Sequence, residues 1–419
     1  MAKPDLLFLT QRLPYPPIKG EKIRQWQILN HLARWYDVHL GCLIDDPADF
    51  QHEATVRTVC RDMHAARLDR RIAKLTCARG FLTGEPLSVT FFQDRGLQRW
   101  VTDVMTRIRP ELTFVISSNM APYILDLPRT GQRIVDLVDV DSEKFRAYAE
   151  TASFPMRQVY QREARCVAAL ERRIARDCDW SIFVSDAEAA LFKTMVPERA
   201  SQILGVSNGV DHRYFDPAPG YPAVFPPGAA AFVFTGTMDY LPNIDAVTWF
   251  ATAMLPLIRR ALPDARFFIV GSNPTESVKN LMKLDGVTVT GAVPDVRPYL
   301  FHATAAVAPL RVARGIQNKV LEAMAMGKPV IVTSSALEGI DAIPEQEVIV
   351  ADDAAGFAAV AVRLTQDDGT ATPETAAIGQ AARRLILRRY DWNARLSALD
   401  ALVRPADKIA TPALAGTDA

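Results

Sequence analysis

Short apolar runs recur along the chain and alternate with stretches of helical periodicity. In the first half they cover residues 6–9, 38–44, 112–116, 134–140 and 181–184. A second series covers residues 231–234, 267–270, 287–289, 305–310, 330–332 and 348–350. Brief apolar runs that alternate with helices are typical of buried parallel strands in α/β proteins. The pattern therefore predicts two parallel sheets, one in each half of the chain.

A stretch dense in proline and glycine separates the two series, and neither helix nor strand accommodates it well. We therefore expect a first domain over residues 1–215, a linker over 216–229 and a second domain over 230–385. Residues 386–405 have a helical pattern. Residues 406–419 end in small and polar residues and are expected to form a flexible tail.

Composition narrows the class of protein. The 419 residues suffice for two or three domains, and 49% of them are hydrophobic, which excludes a wholly disordered chain. The 48 basic residues balance the 48 acidic ones. A dedicated duplex-binding protein would show a basic excess that neutralises phosphates, so nucleic acid is not the expected partner.

The cysteines and the lengths of the apolar runs indicate whether the protein holds a metal and where in the cell it is located. Five widely spaced cysteines without a Cys-x-x-Cys motif or a Cys/His cluster disfavour both a disulfide framework and a zinc site. We expect neither a metal nor a bound cofactor. The N-terminal apolar run is too short for a signal peptide, and no segment approaches a membrane span. The expected location is the cytoplasm, at most at the inner face of the membrane.

Charge is unevenly distributed despite the neutral total. Residues 56–80 hold seven basic and two acidic side chains, and residues 157–176 hold six basic and two acidic ones. One interpretation is that these are ordinary solvated helix faces. The other is that they attract an anionic acceptor or anionic lipid headgroups.

The first candidate binding feature is the loop before the first helix. Gly20 stands at the predicted helix start, where unpaired N–H groups and the helix dipole favour a phosphate, and Lys22 and Arg24 add positive charge. The apolar positions of this helix, expected on one side, are Ile23, Trp26, Leu29, Leu32 and Trp35. An ordinary strand-to-helix loop is the alternative.

The second candidate is a row of aspartates. Asp136, Asp139 and Asp141 alternate along one predicted strand and should face the same side. At the carboxyl end of a strand, Asp139 or Asp141 could orient or deprotonate a hydroxyl group. Asp141 could equally be the N-cap of the next helix.

The third candidate lies in residues 308–330, where a buried strand leads through a basic loop into a helix. Arg311, Arg314 and Lys319 gather at the helix start, which suits a diphosphate. Glu322 follows one turn later and could accept ribose hydroxyl groups. A surface ion pair between Lys319 and Glu322 is the alternative.

At these residues the sequence resembles the retaining GT-B glycosyltransferases of the large family-four group. The motifs that carry the resemblance are VSNGVD at 206–211, FTGTMD at 234–239, VTGAV at 289–293 and LEAMAMGKPV at 321–330. The resemblance implies two Rossmann-like domains, a donor cleft between them and a C-terminal helix returning to the first domain. It also implies that Gly236, Thr237 and Val293 contact a UDP- or GDP-sugar donor, and that the anomeric configuration is retained.

A narrower resemblance, to sugar transferases of bacterial exopolysaccharide gene clusters, rests on PYPP at 14–17, VDVDS at 138–142 and GTMDYLPN at 236–243. It implies a lipid-linked or polysaccharide acceptor, and peripheral contact with an anionic membrane is compatible with it.

The sequence departs from the family pattern at four places. Arg314 replaces the first glutamate of the family's pair, Thr237 replaces a donor-binding arginine, residues 241–243 offer no lysine, and Asp139 stands at the strand position of a histidine. We hypothesise that Arg311, Arg314 and Lys319 supply the missing charge.

The sequence thus predicts a metal-independent glycosyltransferase. A nucleotide-sugar epimerase, a glycan phosphorylase and a non-catalytic nucleotide-sugar-binding subunit remain as alternatives. A periplasmic binding protein is disfavoured by the N-terminus.

Overall fold

The computed structural model describes residues 3–17, 20–77, 80–313, 315–366, 369 and 371–403. The chain forms two compact units. The first contains Met1–Ser207 and the chain from Leu396 onward, and the second is Asn208–Arg395.

The first unit is built on a seven-stranded sheet within the described residues. Its strands are β1 Asp5–Leu9, β2 Asp37–Ile44, β3 Asp62–Arg67, β4 Leu112–Ile116, β5 Gln132–Val138, β6 Trp180–Phe183 and β7 Ile203–Gly205. Their order is β3-β2-β1-β4-β5-β6-β7, and every pair is parallel. Strand order reverses between β1 and β4, where open α/β sheets bind ligands beyond the carboxyl ends of the strands.

Helices connect these strands. Their bounds are α1 Gly20–Leu32, α2 Glu53–Arg57, α3 Arg70–Cys77, α4 Gly80–Thr83, α5 Leu87–Phe91, α6 Arg95–Asp103, α7 Pro122–Leu125, α8 Asp141–Thr151, α9 Met156–Asp177 and α10 Asp186–Met195.

The second unit has a six-stranded sheet in the described residues, with order β10-β9-β8-β11-β12-β13 and parallel pairing throughout. Its strands are β8 Ala231–Thr235, β9 Arg266–Val270, β10 Val287–Gly291, β11 Ala305–Ala308, β12 Val330–Val332 and β13 Ile349–Val350. Its helices are α11 Leu241–Trp249, α12 Leu255–Ala261, α13 Glu276–Lys279, α14 Arg297–His302, α15 Asn318–Ala325, α16 Ser334–Leu337, α17 Ala354–Arg363 and α18 Pro373–Leu385. The last helix, α19 Trp392–Val403, begins in this unit and ends in the first.

The predicted fold class, two Rossmann-like α/β units, is confirmed. Strands β3 and β7 escaped prediction because β3 is a half-exposed edge strand with polar residues and β7 has only three residues at the opposite edge. Short or polar edge strands lack the apolar run that identifies a buried strand.

The division between the units falls at Ser207 and Asn208, before the proline-rich stretch. Residues 208–215, assigned to the first domain from the sequence, group with the second unit. Phe215 is buried in that unit's core, and the backbone N–H of Val210 donates to the carbonyl of Tyr390 at 2.8 Å. The predicted tail, 406–419, lies outside the described residues.

The helical stretch Leu241–Ala261 corrects one expectation from the sequence. By length and composition it is apolar enough to cross a membrane, which no segment was expected to approach. Val247, Phe250, Met254 and Ile258 on it are fully buried in the core of the second unit. Its apolar character is therefore explained by packing against the sheet.

Helix α1 buries only part of the face predicted for it. Leu29 and Leu32 are fully buried, but Ile23 and Trp26 are only partly buried and Trp35 lies beyond the end of the helix. Lys22, Arg24 and His31 are also among its buried residues. Each of these contacts a carboxylate within the first unit: Asp49 lies 2.7 Å from Lys22, Asp136 2.6 Å from Arg24 and Asp400 2.8 Å from His31.

The pair between Arg24 and Asp136 generates a stability prediction. Asp136 has no solvent exposure, so Arg24→Met leaves a buried carboxylate without its cation and should cost about 3–5 kcal/mol of unfolding free energy. Urea denaturation of the two proteins measures this. The double variant Arg24→Met/Asp136→Leu, which removes both charges, should recover much of the loss. A single variant as stable as the parent would contradict the prediction.

Candidate active site

The carboxyl ends of parallel strands meet at one edge of a sheet, so the loops that follow them lie near one another. At this edge of the first unit, Asp139 and Asp141 follow β5, Ser118 follows β4, and Glu188 lies in the first turn of α10 after β6.

The reason given for grouping the three aspartates was wrong. Asp136 and Asp139 are three residues apart, so regular alternation would already place them on opposite faces of a strand. Strand β5 ends at Val138, whose φ of 70° and register irregularity stop the regular alternation of side chains. Asp136 lies inside the strand and pairs with Arg24, while Asp139 and Asp141 lie beyond it. The structure nevertheless keeps Asp139 and Asp141 together at the edge of the sheet.

Asp139 is the carboxyl group that this environment perturbs. Burial is the largest cause that raises its pKa from 3.8 to about 6, followed by the negative charges of Glu188 and Asp141, while Lys144 and Arg24 oppose the rise. Among the described residues its carboxylate has no hydrogen-bond partner. A carboxyl group that titrates near neutral pH is suited to exchanging a proton with a hydroxyl group.

Two glutamates that the sequence analysis missed hold the loop carrying Asp139. Glu188 accepts the N–H of Val140 at 2.7 Å, and Glu171 accepts the N–H of Ser142 at 3.1 Å and its hydroxyl at 2.5 Å. Burial raises the pKa of Glu171 to about 7. The pattern Ser185-x-x-Glu188, a capping box, was a signal for Glu188. Glu171 lies in the middle of α9 and has no comparable signal.

Asp141 does not cap α8. It is the first helical residue, the N-cap position belongs to Val140, and no side chain caps the helix there. The carboxylate of Asp141 instead lies 3.4 Å from the ammonium of Lys144 and accepts the Ser118 hydroxyl at 3.4 Å.

The loop before α1 lacks the unpaired positive charge that the sequence analysis predicted for it. Gly20 begins the helix and is exposed, but Lys22 and Arg24 are buried in ion pairs and do not supply charge to a phosphate. Arg12, just after β1, pairs with Glu21 and Asp45. The donor-binding role of Gly20 stays a prediction.

In the second unit, glycine loops follow β8, β9 and β10. The N–H of Gly236 donates to Val270 at 3.1 Å, and that of Gly271 donates to Gly291 at 3.2 Å. A Cβ atom on Gly271 would lie 1.6 Å from the carbonyl oxygen of Gly236. The loops approach through their backbones, so a side chain at Gly271 would force them apart.

Lys319 lies beneath the Gly236 loop. Its ammonium donates to Asn243 Oδ1 at 2.5 Å, and Asn243 Nδ2 donates to the carbonyl of Thr237 at 2.8 Å. It also lies 4.2 Å from the centroid of the Phe234 ring. Asn243 therefore connects the Gly236 loop to Lys319. The sequence shows only that residues 241–243 contain no lysine.

Burial perturbs both ionisable groups of α15. It lowers the pKa of Lys319 to about 7 and raises that of Glu322 to about 7, and each charge opposes the shift of the other. Glu322 offsets the desolvation of this ammonium only in part, so Lys319 is suited to receiving a negatively charged ligand.

The other predicted donor contacts are placed as follows. Arg311 is exposed, pairs with Asp245 on α11 and lies 5.2 Å from the ring of Trp249. Arg311 and Lys319 thus both reach α11. Val293 lies two residues beyond β10 and packs against the core. Arg314 lies outside the described residues.

The fold identifies the class of protein. The chain has the GT-B architecture, because its fold matches those of three solved structures. Sucrose-phosphate synthase from Thermosynechococcus elongatus is 17% identical, with a TM-score of 0.67 over 96% of this chain and 98% of that one. Anabaena HepE in complex with UDP is 13% identical, with a TM-score of 0.64 over 95% and 99%. WaaG, described as a glycosyltransferase involved in lipopolysaccharide biosynthesis, is 15% identical, with a TM-score of 0.61 over 94% and 99%.

A match to a family model indicates the class of enzyme. Residues 229–367, about a third of the chain, match the family described as "Glycosyl transferases group 1". No curated protein matches the chain. The matched segment contains the glycine loops and α15, and with the fold it supports a GT-B glycosyltransferase.

The environment of Asp139 predicts a stability gain on substitution. Its pKa is 3.8 in an unfolded chain and about 6 in the folded protein, so the folded state binds more protons in this window and loses stability as pH rises through it. Asp139→Asn should therefore raise the unfolding free energy at pH 7 by up to about 3 kcal/mol.

Urea unfolding at pH 4 and pH 7 measures this, and the gain should shrink at pH 4. Asp103→Asn serves as a control, because that carboxylate is an exposed partner of Arg107. A gain that is equal at the two pH values would exclude the proposed origin.

Proposed function

We propose that the protein transfers a sugar from a UDP- or GDP-sugar to a lipid-linked or polysaccharide acceptor in exopolysaccharide biosynthesis. The observation that carries the proposal is Lys319 held beneath the Gly236 loop by Asn243. A diphosphate placed there would meet a cation, backbone N–H groups and the start of α15. Such groups stabilise the negative charge that develops on a leaving diphosphate.

The donor contacts follow from this placement. Lys319 and Arg311 would neutralise the diphosphate, with Arg314 as a further contact, and Glu322 would accept ribose hydroxyl groups. Gly236, Thr237 and Val293 would approach the nucleotide from the loops after β8 and β10. On the first unit, Gly20 at the start of α1 stays a candidate donor contact. HepE has been solved in complex with UDP, with UDP and glucose, and with UDP-glucose, which supports a nucleotide-sugar donor.

On the first unit we assign the acceptor hydroxyl to Asp139, with Asp141 beside it. The raised pKa of Asp139 would let it orient the hydroxyl group and accept its proton. The transfer would keep the anomeric configuration, through a path in which the departing diphosphate stays on the face that the acceptor approaches. These assignments require neither a metal nor a bound cofactor.

We place the enzyme in the cytoplasm, in peripheral contact with the inner face of the membrane. Helix α3 supports this contact. Ile72 and Leu75 are 60% and 77% exposed, with Arg71 and Lys74 on the same short helix. Apolar side chains flanked by cations are suited to an anionic bilayer surface.

The donor site predicts that Lys319→Ala weakens UDP binding at least about tenfold, since it removes a charge-assisted contact to the diphosphate. UDP affinity of the parent should also fall as pH rises through 7, because Lys319 loses its proton there. This pH dependence should be shallower in the variant.

Calorimetric titration with UDP between pH 6 and pH 8.5 tests both points. Arg260→Ala, which removes an exposed cation of α12, is the charge-matched control. Near-parental affinity in Lys319→Ala would refute the role of this residue.

The activity itself is tested with purified enzyme, a panel of UDP- and GDP-sugars and lipid-linked acceptors. We expect release of UDP or GDP only when acceptor is present, and an NMR spectrum showing the donor's anomeric configuration in the product. Asp139→Ala should reduce turnover at least about a hundredfold while leaving UDP affinity unchanged.

Other outcomes would replace the proposal. Sugar interconversion without acceptor would identify an epimerase, and phosphate-dependent turnover a phosphorylase. An inverted anomer would remove retention. Binding without transfer across the panel would favour a non-catalytic nucleotide-sugar-binding subunit, to which Arg314 in place of the family's first glutamate points.

A further inference from the structure

A groove of about 610 Å³ runs between α8 and α9 of the first unit. Its floor is made of small residues, Ala149, Ala164 and Ala168, which are 4–6% exposed. Arginines form its walls, Arg146 on α8 and three more on α9. The alanines keep the floor low, so the guanidinium groups stand above a channel.

The arginines of α9 divide into two sets. One set is engaged with other groups of the chain: Arg162 donates to the carbonyl of Glu85 at 3.1 Å, Arg173 pairs with Asp126, and Arg176 lies 2.8 Å from its neighbour Asp177. The other set lines the groove: Arg157, Arg165 and Arg172. Within the described part of the chain their side chains have no hydrogen-bond or ion-pair partner.

The groove is therefore positively charged. Arg146 is paired with Glu143 at 2.8 Å, and Glu150 is the acidic residue in the lining. With Arg146 offset by Glu143, three unpaired arginines against Glu150 leave the groove with a net charge of +2. An exposed, uncompensated arginine row attracts anions more strongly than an equal number of paired charges does.

The spacing of the row indicates the shape of its ligand. Arg157, Arg165 and Arg172 are separated by eight and seven residues, which is about 12 Å and about 10 Å along a helix. The row spans about 22 Å in total. An extended chain with repeated negative groups matches this spacing, whereas a single phosphate would reach one arginine.

One end of the groove, at Arg172, lies at the same end of the α8–α9 pair as the candidate catalytic carboxylates. Glu171, next to Arg172 in the sequence, holds Ser142 at the start of α8, and Asp141 precedes that serine. The other end, at Arg157, lies near the connection between α8 and α9. A chain bound along the row would thus lead toward Asp139 and Asp141.

We propose that the α8–α9 groove binds an extended anionic chain, such as an acidic glycan or a phosphate-linked glycan, and that this chain belongs to the acceptor. The second part rests on the proposed function; the first does not. A bilayer surface does not fit the groove, because headgroups in a plane cannot follow alanines recessed between two helices. The arginines would grip carboxylate or phosphate oxygens along the chain.

The test measures binding directly, without donor. A fluorescent heparin-derived octasaccharide and a linear polyphosphate of about 20 units serve as probes in anisotropy titrations. The triple variant Arg157→Gln/Arg165→Gln/Arg172→Gln should bind at least about tenfold more weakly, and the parent's affinity should fall steeply with salt.

A matched variant controls for net charge. Arg95→Gln/Arg99→Gln/Arg109→Gln removes three exposed arginines elsewhere on the first unit and should bind like the parent. Circular dichroism and thermal unfolding verify that both variants are folded. UDP titration of the same proteins keeps the two proposals apart, because an intact groove with no UDP binding would refute only the donor assignment.

Three results would overturn the inference: equal loss of affinity in both variants, equal binding of neutral maltooctaose by the parent, or unchanged probe binding in the groove variant. Sedimentation with phosphatidylglycerol vesicles is the further arm. If the groove variant lost vesicle binding but kept probe binding, the arginines would serve a membrane surface instead.

Discussion

Parallel pairing in both sheets is the constraint from which the candidate chemistry follows. Every connection returns the chain to the amino-terminal end of the next strand. The loops that follow the strands therefore all lie at one edge of the sheet, at the carboxyl-terminal ends of its strands. In the first unit this edge collects Asp139, Asp141 and Glu188 from different connections. In the second it collects Gly236 and the loop leading to α15. Residues far apart in sequence thus become neighbours without any of them being needed to hold the sheet together.

Desolvation then decides which charges are available for chemistry. Lys22 and Arg24 look like surface cations in the sequence, yet both are buried and matched by a carboxylate, because an unpaired buried charge would be too costly. Lys319 has a different environment. Its hydrogen bond goes to the neutral amide of Asn243, and the charge of Glu322 offsets its burial only in part, so its pKa falls. A cation that is compensated only in part favours a ligand that brings further negative charge.

The sequence predicts the sheets well and the side-chain partnerships poorly, for the same physical reason. Apolar runs such as 6–9 and 330–332 identify buried strands because burial demands them, and β3 was missed because an edge strand does not. Gly236, Lys319 and Glu322 could be selected from motifs in the sequence. The roles of Asn243 and Glu171 could not, since a hydrogen bond across 76 or 29 residues leaves no local pattern. The positive φ of Val138, which ends β5, likewise depends on tertiary packing.

Net charge is informative only after the paired charges have been subtracted. The 48 basic and 48 acidic residues cancel, and half of the basic residues at 157–176 already have a hydrogen-bond or ion-pair partner. The remaining arginines, Arg157, Arg165 and Arg172, form a row on one side of α9 above a floor of alanines. A larger residue at Ala164 or Ala168 would fill the channel without changing the charge, so groove shape and groove charge are separable contributions. An acceptor recognised by both would have to be narrow as well as anionic, as an extended glycan chain is.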